Sequence, residues 1–250
     1  MKPLVVMTVH NRADSTQVAL DALAEHTDLS ECVTVVVDDA STDGAAETID
    51  QWCIDHQAEP LHLETNRGTA RALNAALYRY RMPHQPLVKL DNDVTLMTAG
   101  WLPKVAEFIA AVRAREPGLA LVRASRVYKG EELPGEDKIE LGKFHGEPFY
   151  HIKRHLGYAV WYCGWFMDKV RYFEPLSPDH IYGYDDAIMG AKVAALGGFG
   201  LIWRGWMMHD QARGSCFPGN REHAAMVRPL LNQRLGEIAR TKKVRAEVSL

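Results

Sequence analysis

Along the first hundred residues, apolar positions come in short unbroken runs, separated by stretches in which they recur at helical spacing. Leu4-Val-Val-Met-Thr-Val9 and Val33-Thr-Val-Val-Val37 each fill the length of a strand almost without polar interruption, the pattern of strands buried on both faces. Between them Asp14-Ser-Thr-Gln17 has the form of a capping box and opens a helix carrying Leu20 and Leu23. Asp38-Asp-Ala-Ser-Thr-Asp-Gly44 stops the second strand. A helix through Ile49 and Trp52 follows, then a short strand at Leu61-His-Leu63 and a turn at Asn66-Arg-Gly68. An Ala- and Leu-rich helix spans about Thr69 to Tyr80, and the strand Pro86-Leu-Val-Lys-Leu90 runs into Asp91-Asn-Asp93.

This alternation predicts an α/β fold, with a mainly parallel, Rossmann-like sheet, helices on both faces and right-handed crossovers. Ligands on such sheets bind beyond the carboxyl ends of the strands. Three strands therefore deliver three polar groups to one rim: His10-Asn11-Arg12, Asp38 to Asp43, and Asp91 to Asp93. The second half is less regular. Arg126 to Lys153 is polar and glycine-containing and reads as a long loop or loose hairpins. Tyr158-Ala-Val-Trp-Tyr162 reads as a strand, Asp185 to Ala195 as a helix, and Phe199-Gly-Leu-Ile-Trp203 as a strand with His209 just beyond it. A basic helix from about Glu222 to Lys242 closes the chain. With no repeat, linker or low-complexity tract, the expectation is a single domain over residues 1–250.

Composition adds exclusions. Hydrophobic residues are 47% and charged residues 24% of the 250, a globular balance, and the net charge of -3 makes no case for a polyanionic partner. The charge is uneven, however: residues 221–245 hold seven Lys or Arg against two Glu, a local net charge of +5. Such a stretch is ordinarily a solvated helix face; the alternative is a contact for an acidic acceptor or an anionic membrane surface. Cys32, Cys53, Cys163 and Cys216 form no CxxC pair, which fits reduced thiols and a cytoplasmic location. No leader-like segment precedes the first strand, and no run approaches the ~18–20 apolar residues of a membrane span. Tyr158, Trp161, Trp165, Trp203 and Trp206 are dense enough to build a sugar platform, but aromatics at this density are more often core.

Asp91 and Asp93 put two carboxylates on a turn at the rim. Hard cations take carboxylate oxygens, and a divalent ion there neutralises a diphosphate leaving group. Acidic pairs after strands are also common turn formers and helix caps, so the triplet alone is a weak signal. Arg71, on a helix starting at the rim, is within reach of a diphosphate, though a helical Arg is ordinarily a surface charge.

The order of these motifs carries more weight than any one of them. From Leu4 to His209 the chain resembles the inverting GT-A glycosyltransferases of family 2. Val5-Val-Met-Thr-Val-His-Asn-Arg12 resembles the family's opening strand and nucleotide-binding turn, with Thr8 in place of the usual Pro and His10 in place of the usual Tyr. Val35-Val-Val-Asp-Asp-Ala-Ser-Thr-Asp-Gly44 is the most specific match. Asn66-Arg-Gly68 followed by Asn74, Lys89-Leu-Asp-Asn-Asp93 followed by Gly100-Trp-Leu102, and Gly183-Tyr-Asp-Asp186 resemble the next motifs in turn.

The resemblance implies a nucleotide-sugar-binding half over 1–100, an acceptor half over 101–215 and the basic helix over 216–250. It implies that Val9, His10, Asn11, Arg12, Asp39, Asn66, Gly68, Arg71, Asp91 and Asn92 surround the nucleotide, Asp39 accepting from a uracil-type base. Asp91 and Asp93, completed by His209, are implied to hold Mn²⁺ or Mg²⁺. Asp186 is implied to be the base that deprotonates the acceptor hydroxyl, a role the chemistry requires; read alone, Asp185 and Asp186 are equally good helix caps. The implied reaction moves a sugar from a UDP-sugar, with inversion, to a hydroxyl of a glycan, a lipid-linked sugar or a modified nucleic acid, hydroxymethylated DNA being allowed by the basic helix. Competing classes fare worse. Nucleotidylyltransferases and dinucleotide-dependent oxidoreductases want a glycine-rich phosphate loop after the first strand, and His10-Asn-Arg-Ala-Asp14 has no glycine. A non-catalytic sugar-nucleotide module has no use for a base.

Overall fold

The computed structural model describes residues 1–128, 131–132, 139–152, 157–176, 184–211 and 220–248. The first half follows the predicted alternation: β1 (Leu4–Val9), α1 (Ala13–His26), β2 (Val33–Asp38), α2 (Ala45–His56), β3 (Glu59–His62), α3 (Thr69–Tyr80), β4 (Leu87–Asp91), β5 (Val94–Leu96) and α4 (Trp101–Arg113). Then come β6 (Leu119–Tyr128), β7 (Glu131–Glu132), β8 (Ile139–Phe144), β9 (Glu147–His151), β10 (Ala159–Tyr162), α5 (Gly164–Val170), α6 (Asp185–Ala195), β11 (Phe199–Asp210) and α7 (Asn220–Val248).

One sheet runs through both halves in the order β3-β2-β1-β4-β10-β6-β11-β9-β8, with β5 on β11 and β7 on β6. The stretch β3-β2-β1-β4 is wholly parallel, as are β6 and β11, while β10 runs antiparallel between β4 and β6. The chain is thus a mixed α/β structure around a central, mostly parallel sheet. Alternate residues of β1, β2 and β4 feed two cores. Val5, Met7, Val36, Val88 and Leu90 pack under α1, α2 and α4, while Leu4, Val6, Val35, Val37 and Leu87 pack under α3 and α5. Burial on both faces is what their unbroken apolar runs encode.

The aromatic residues are mostly core. Trp101 stacks on Trp206 at 4.9 Å and Phe108 on Trp203 at 4.8 Å, and Trp161, Trp203 and Trp206 are all buried; Tyr158 and Trp165 are partly buried. Three departures from the sequence reading have physical causes. Helix α1 starts at Ala13, and its first N–H is taken by Asp43 Oδ2 at 3.0 Å from the neighbouring loop, so the cap comes from outside the local capping box. The segment read as a long loop or loose hairpins holds a β8–β9 hairpin on the sheet's outer side, and it also contains the end of β6, which runs on to Tyr128.

The strand β11 does not stop at Trp203 but continues to Asp210. Arg204 and Gly205 lie in a bulge where the register against β6 shifts between Trp203 and Met207. A Cβ on Gly205 would lie 2.2 Å from the Trp203 ring, so a glycine lets the strand turn past it. Among the described residues no helix is long and apolar enough to cross a membrane.

Helix α7 packs Leu231 and Ile238 on Ile188 of α6. One of its cations is spent on the fold: Arg234 binds Glu174, which also pairs with Lys192 at 3.1 Å, and Glu237 at 2.8 Å. Arg228 and Arg240 are exposed, while the side chains of Arg221, Lys242, Lys243 and Arg245, like Cys216 and Gly183, lie outside the described residues.

Candidate active site

The rim is built from the turns that end β1, β2 and β4. Two consecutive residues after β1, Asn11 (φ 59°) and Arg12 (φ 66°), take left-handed backbone conformations, which for an L-residue cost about 1–2 kcal/mol each. Side-chain and backbone bonds hold them there. Asn11 N–H donates to Ser41 Oγ at 2.8 Å, Asn11 Oδ1 accepts from Thr42 N–H at 2.8 Å, and Asn92 Nδ2 donates to the Asn11 carbonyl at 3.1 Å. Buried Asp38 in turn accepts from Ser41 N–H at 2.9 Å. The β1, β2 and β4 turns are therefore one hydrogen-bonded unit, with Val9 buried beneath it.

Asp39 is the clasp of that unit. It is buried, and its two oxygens accept from Arg67 N–H and Gly68 N–H, both at 2.7 Å. Burial raises its pKa from the ordinary value and those two bonds pull it back down. Each carboxylate oxygen keeps a second lone pair, so an N–H of a bound base still has an acceptor. His10 lies beside it, Nδ1 at 2.8 Å from the Asp39 carbonyl; a carbonyl only accepts, so Nδ1 carries the proton and Nε2 receives Asn66 Nδ2 at 2.9 Å. Arg71 donates to the Arg67 carbonyl at 3.1 Å. Asn74 pairs with both backbone groups of Phe173, at 2.6 and 2.7 Å, and so ties α3 to the segment after α5.

The acidic residues divide. Asp93 pairs with Arg12 at 3.0 Å. Asp91, Asp185 and Asp186 gather instead around Lys89, whose side chain is only 3% exposed. Lys89 Nζ is 3.0 Å from Asp91 Oδ1 and 3.7 Å from Asp186 Oδ1, and it donates to the Gly157 carbonyl. Burial would lower the lysine's pKa, but Asp186, Asp91 and Asp185 outweigh it and raise it well above the ordinary value. The carboxylates are raised as well. Burial, against the pull of Lys89 and with the charges of Asp186 and Asp93, pushes Asp91 up to about 7. Asp185 is raised by burial and by Asp186.

Asp186, in the first turn of α6, accepts from Gly157 N–H at 2.8 Å. His209 does not join these groups. It points into a groove lined by Ser15, Val18, His26, Thr95, Met97 and Gln211, and among the described residues no three His, Cys, Asp or Glu side chains converge as a metal site. Strand β11 passes the rim with His209 facing α1; the sequence reading placed His209 beyond the strand, where its direction was free. Lys89 and Gly157 are the residues that sequence reasoning missed, and the one available signal was a lysine inside an otherwise apolar strand.

The glycosyl transferase family 2 model matches residues 4–163, and the chain belongs to that family. It is a glycosyltransferase by family, and the fold agrees. Staphylococcus aureus TarS superimposes with a TM-score of 0.63 at 18% identity, over 85% of this chain and 37% of that one. GalNAc-T7, solved with UDP, GalNAc and Mn²⁺, gives 0.65 at 15% identity, over 87% and 45%. The mannosyltransferase PcManGT of Pyrobaculum calidifontis, solved with GDP-Man and Mn²⁺, gives 0.61 at 16% identity, over 98% and 74%. The chain spans less than half the length of the TarS and GalNAc-T7 chains. Among curated protein sequences none matches it.

Proposed function

We propose that the protein transfers a sugar from a UDP-sugar to an acceptor hydroxyl by direct displacement with inversion, Asp186 removing the acceptor proton. The observation that carries this reading is the separation of duties among the carboxylates. Asp91 and Asp93 come from the end of β4 and the turn after it, while Asp186 comes from the first turn of α6 and meets Asp91 through Lys89, 3.0 Å from Asp91 and 3.7 Å from Asp186. An attack opposite the leaving phosphate needs its base apart from the charges that receive that phosphate.

Asp91 and Asp93 fit a divalent cation. Their oxygens are hard donors, and burial is the main cause of the raised pKa of Asp91, a penalty on its charged form that a bound cation would offset. Such an ion, when bound, supplies charge neutralisation for the diphosphate. Arg12, paired with Asp93 at 3.0 Å, would add its positive charge for the donor phosphate at the same rim. Solved neighbours carry both uridine and guanosine nucleotides; Asp39 favours uracil, whose imide N–H suits an acceptor-only carboxylate. Tighter calorimetric binding of GDP or CMP than of UDP would remove the uridine assignment.

The test of the mechanism is Asp186→Asn. Loss of a positioned base costs about 10²–10⁴-fold in rate, so the variant keeps donor and metal binding and loses most transfer. A helix cap alone predicts near-native transfer, since Asn caps as well as Asp. NMR of the product's anomeric configuration is the independent check, and retention of configuration overturns the mechanism.

A further inference from the structure

We propose that Lys89 is a positioning residue that fixes the Asp186 carboxylate through the backbone of Gly157; the inference rests on the reading of Asp186 as the base. An ammonium has three N–H donors and no acceptor. Those of Lys89 face Asp91 Oδ1 at 3.0 Å, the Gly157 carbonyl, and Asp186 Oδ1 at 3.7 Å. The third of these is an ion pair longer than a hydrogen bond, so it attracts the Asp186 carboxylate without fixing its direction. Gly157 supplies the direction: held by its carbonyl on Lys89, it presents its own N–H to Asp186 Oδ2 at 2.8 Å. One carboxylate oxygen is thus on a backbone N–H and the other faces the cation, and rotation loses both.

The close approach requires a glycine. A Cβ at position 157 would lie 1.8 Å from Asp186 Oδ1 and 2.5 Å from its Cγ. Strand β4, the segment before β10 and helix α6 are distant in sequence, and a misplacement of about 1 Å in a reacting group is worth about 10²-fold in rate. A lysine serving folding alone has no reason to engage the residue that in turn holds the base.

Gly157→Ala and Lys89→Met, alone and combined with Asp186→Asn, test this by kinetics and crystallography. Gly157→Ala touches neither Asp91 nor Asp93, so kcat falls about 10²-fold while the donor KM stays within about threefold. Lys89→Met lowers kcat similarly, and Lys89→Met/Asp186→Asn is no slower than Asp186→Asn alone, because both act through one group. In crystals of either single variant Asp186 leaves the N–H of residue 157. Additive losses, or Asp186 unmoved in both variants, overturn the inference. Should Lys89→Met not fold, Lys89→Gln takes its place, and an unmoved Asp186 with unchanged kcat overturns the inference. If Asp186→Asn retains full transfer, the base reading fails, while the crystal structures still judge the clasp.

Discussion

Replacing Asp91 with Asn has an effect on stability whose sign reverses the usual expectation for a carboxylate. Its carboxyl is raised from 3.8 to about 7 in the native state. Between pH 4 and 7 the native protein therefore binds more protons at this site than the unfolded chain does, and stability from this group falls as pH rises. One pKa unit is worth 1.36 kcal/mol, so the burden reaches about 4 kcal/mol above pH 7 in metal-free protein. Asn is nearly isosteric, carries no charge, and keeps an oxygen for the Lys89 ammonium 3.0 Å away. Urea unfolding in chelator, run from pH 4.5 to 8.5 on wild type and Asp91→Asn, gives the difference directly and cancels the other carboxylates. The variant should be within about 1 kcal/mol of wild type near pH 4.5 and gain up to about 4 kcal/mol by pH 8, with most of the change between pH 4 and 7. Saturating Mn²⁺ should erase the gain by stabilising wild type alone. A difference independent of pH, or a variant less stable at pH 8 than at pH 4.5 relative to wild type, refutes the reasoning.

Asp93→Ala should abolish metal-stimulated donor turnover, and full activity of that variant in excess chelator would remove Asp93 from the metal site. Asp39→Asn puts an amide N–H₂ against either Arg67 N–H or Gly68 N–H, each 2.7 Å from a carboxylate oxygen. Losing one charge-assisted bond should cost about 1.5–3 kcal/mol in unfolding free energy and weaken UDP in calorimetry; an unchanged Tm would show the clasp to be unimportant. Trp206→Ala, removing a fully buried ring stacked on Trp101, should cost about 3–5 kcal/mol in chemical denaturation.

What the sequence revealed, and what it hid, follows from how each feature is encoded. Strands β1, β2 and β4 are legible because burial on two faces demands unbroken apolar runs, and their polar ends mark the rim. Asp39 and Asp186 are legible as members of an ordered set of motifs. His209 was misplaced because Arg204 and Gly205 break the apolar pattern, and a bulge that carries a strand past a polar pair looks like its end. The hairpin β8–β9 could not be told from a long loop because its outer strand is largely exposed and lacks a buried run. Lys89 is conspicuous in its strand, but the partners that make sense of it come from residues 157 and 186 and meet only in the fold.

The reversed strand β10 has a mechanical consequence. Because it is inserted antiparallel between β4 and β6, the chain reaches it at the same rim where β4 ends, and Asp91 N–H donates to the Tyr158 carbonyl at 3.0 Å. The end of β4 and the segment that follows Gly157 are thereby stitched by one backbone bond. Parting the molecule like a clamshell between β4 and β10 would tear that bond and the ladder beneath it. The bench is rigid, and a relative with a different acceptor is built by changing what stands on it.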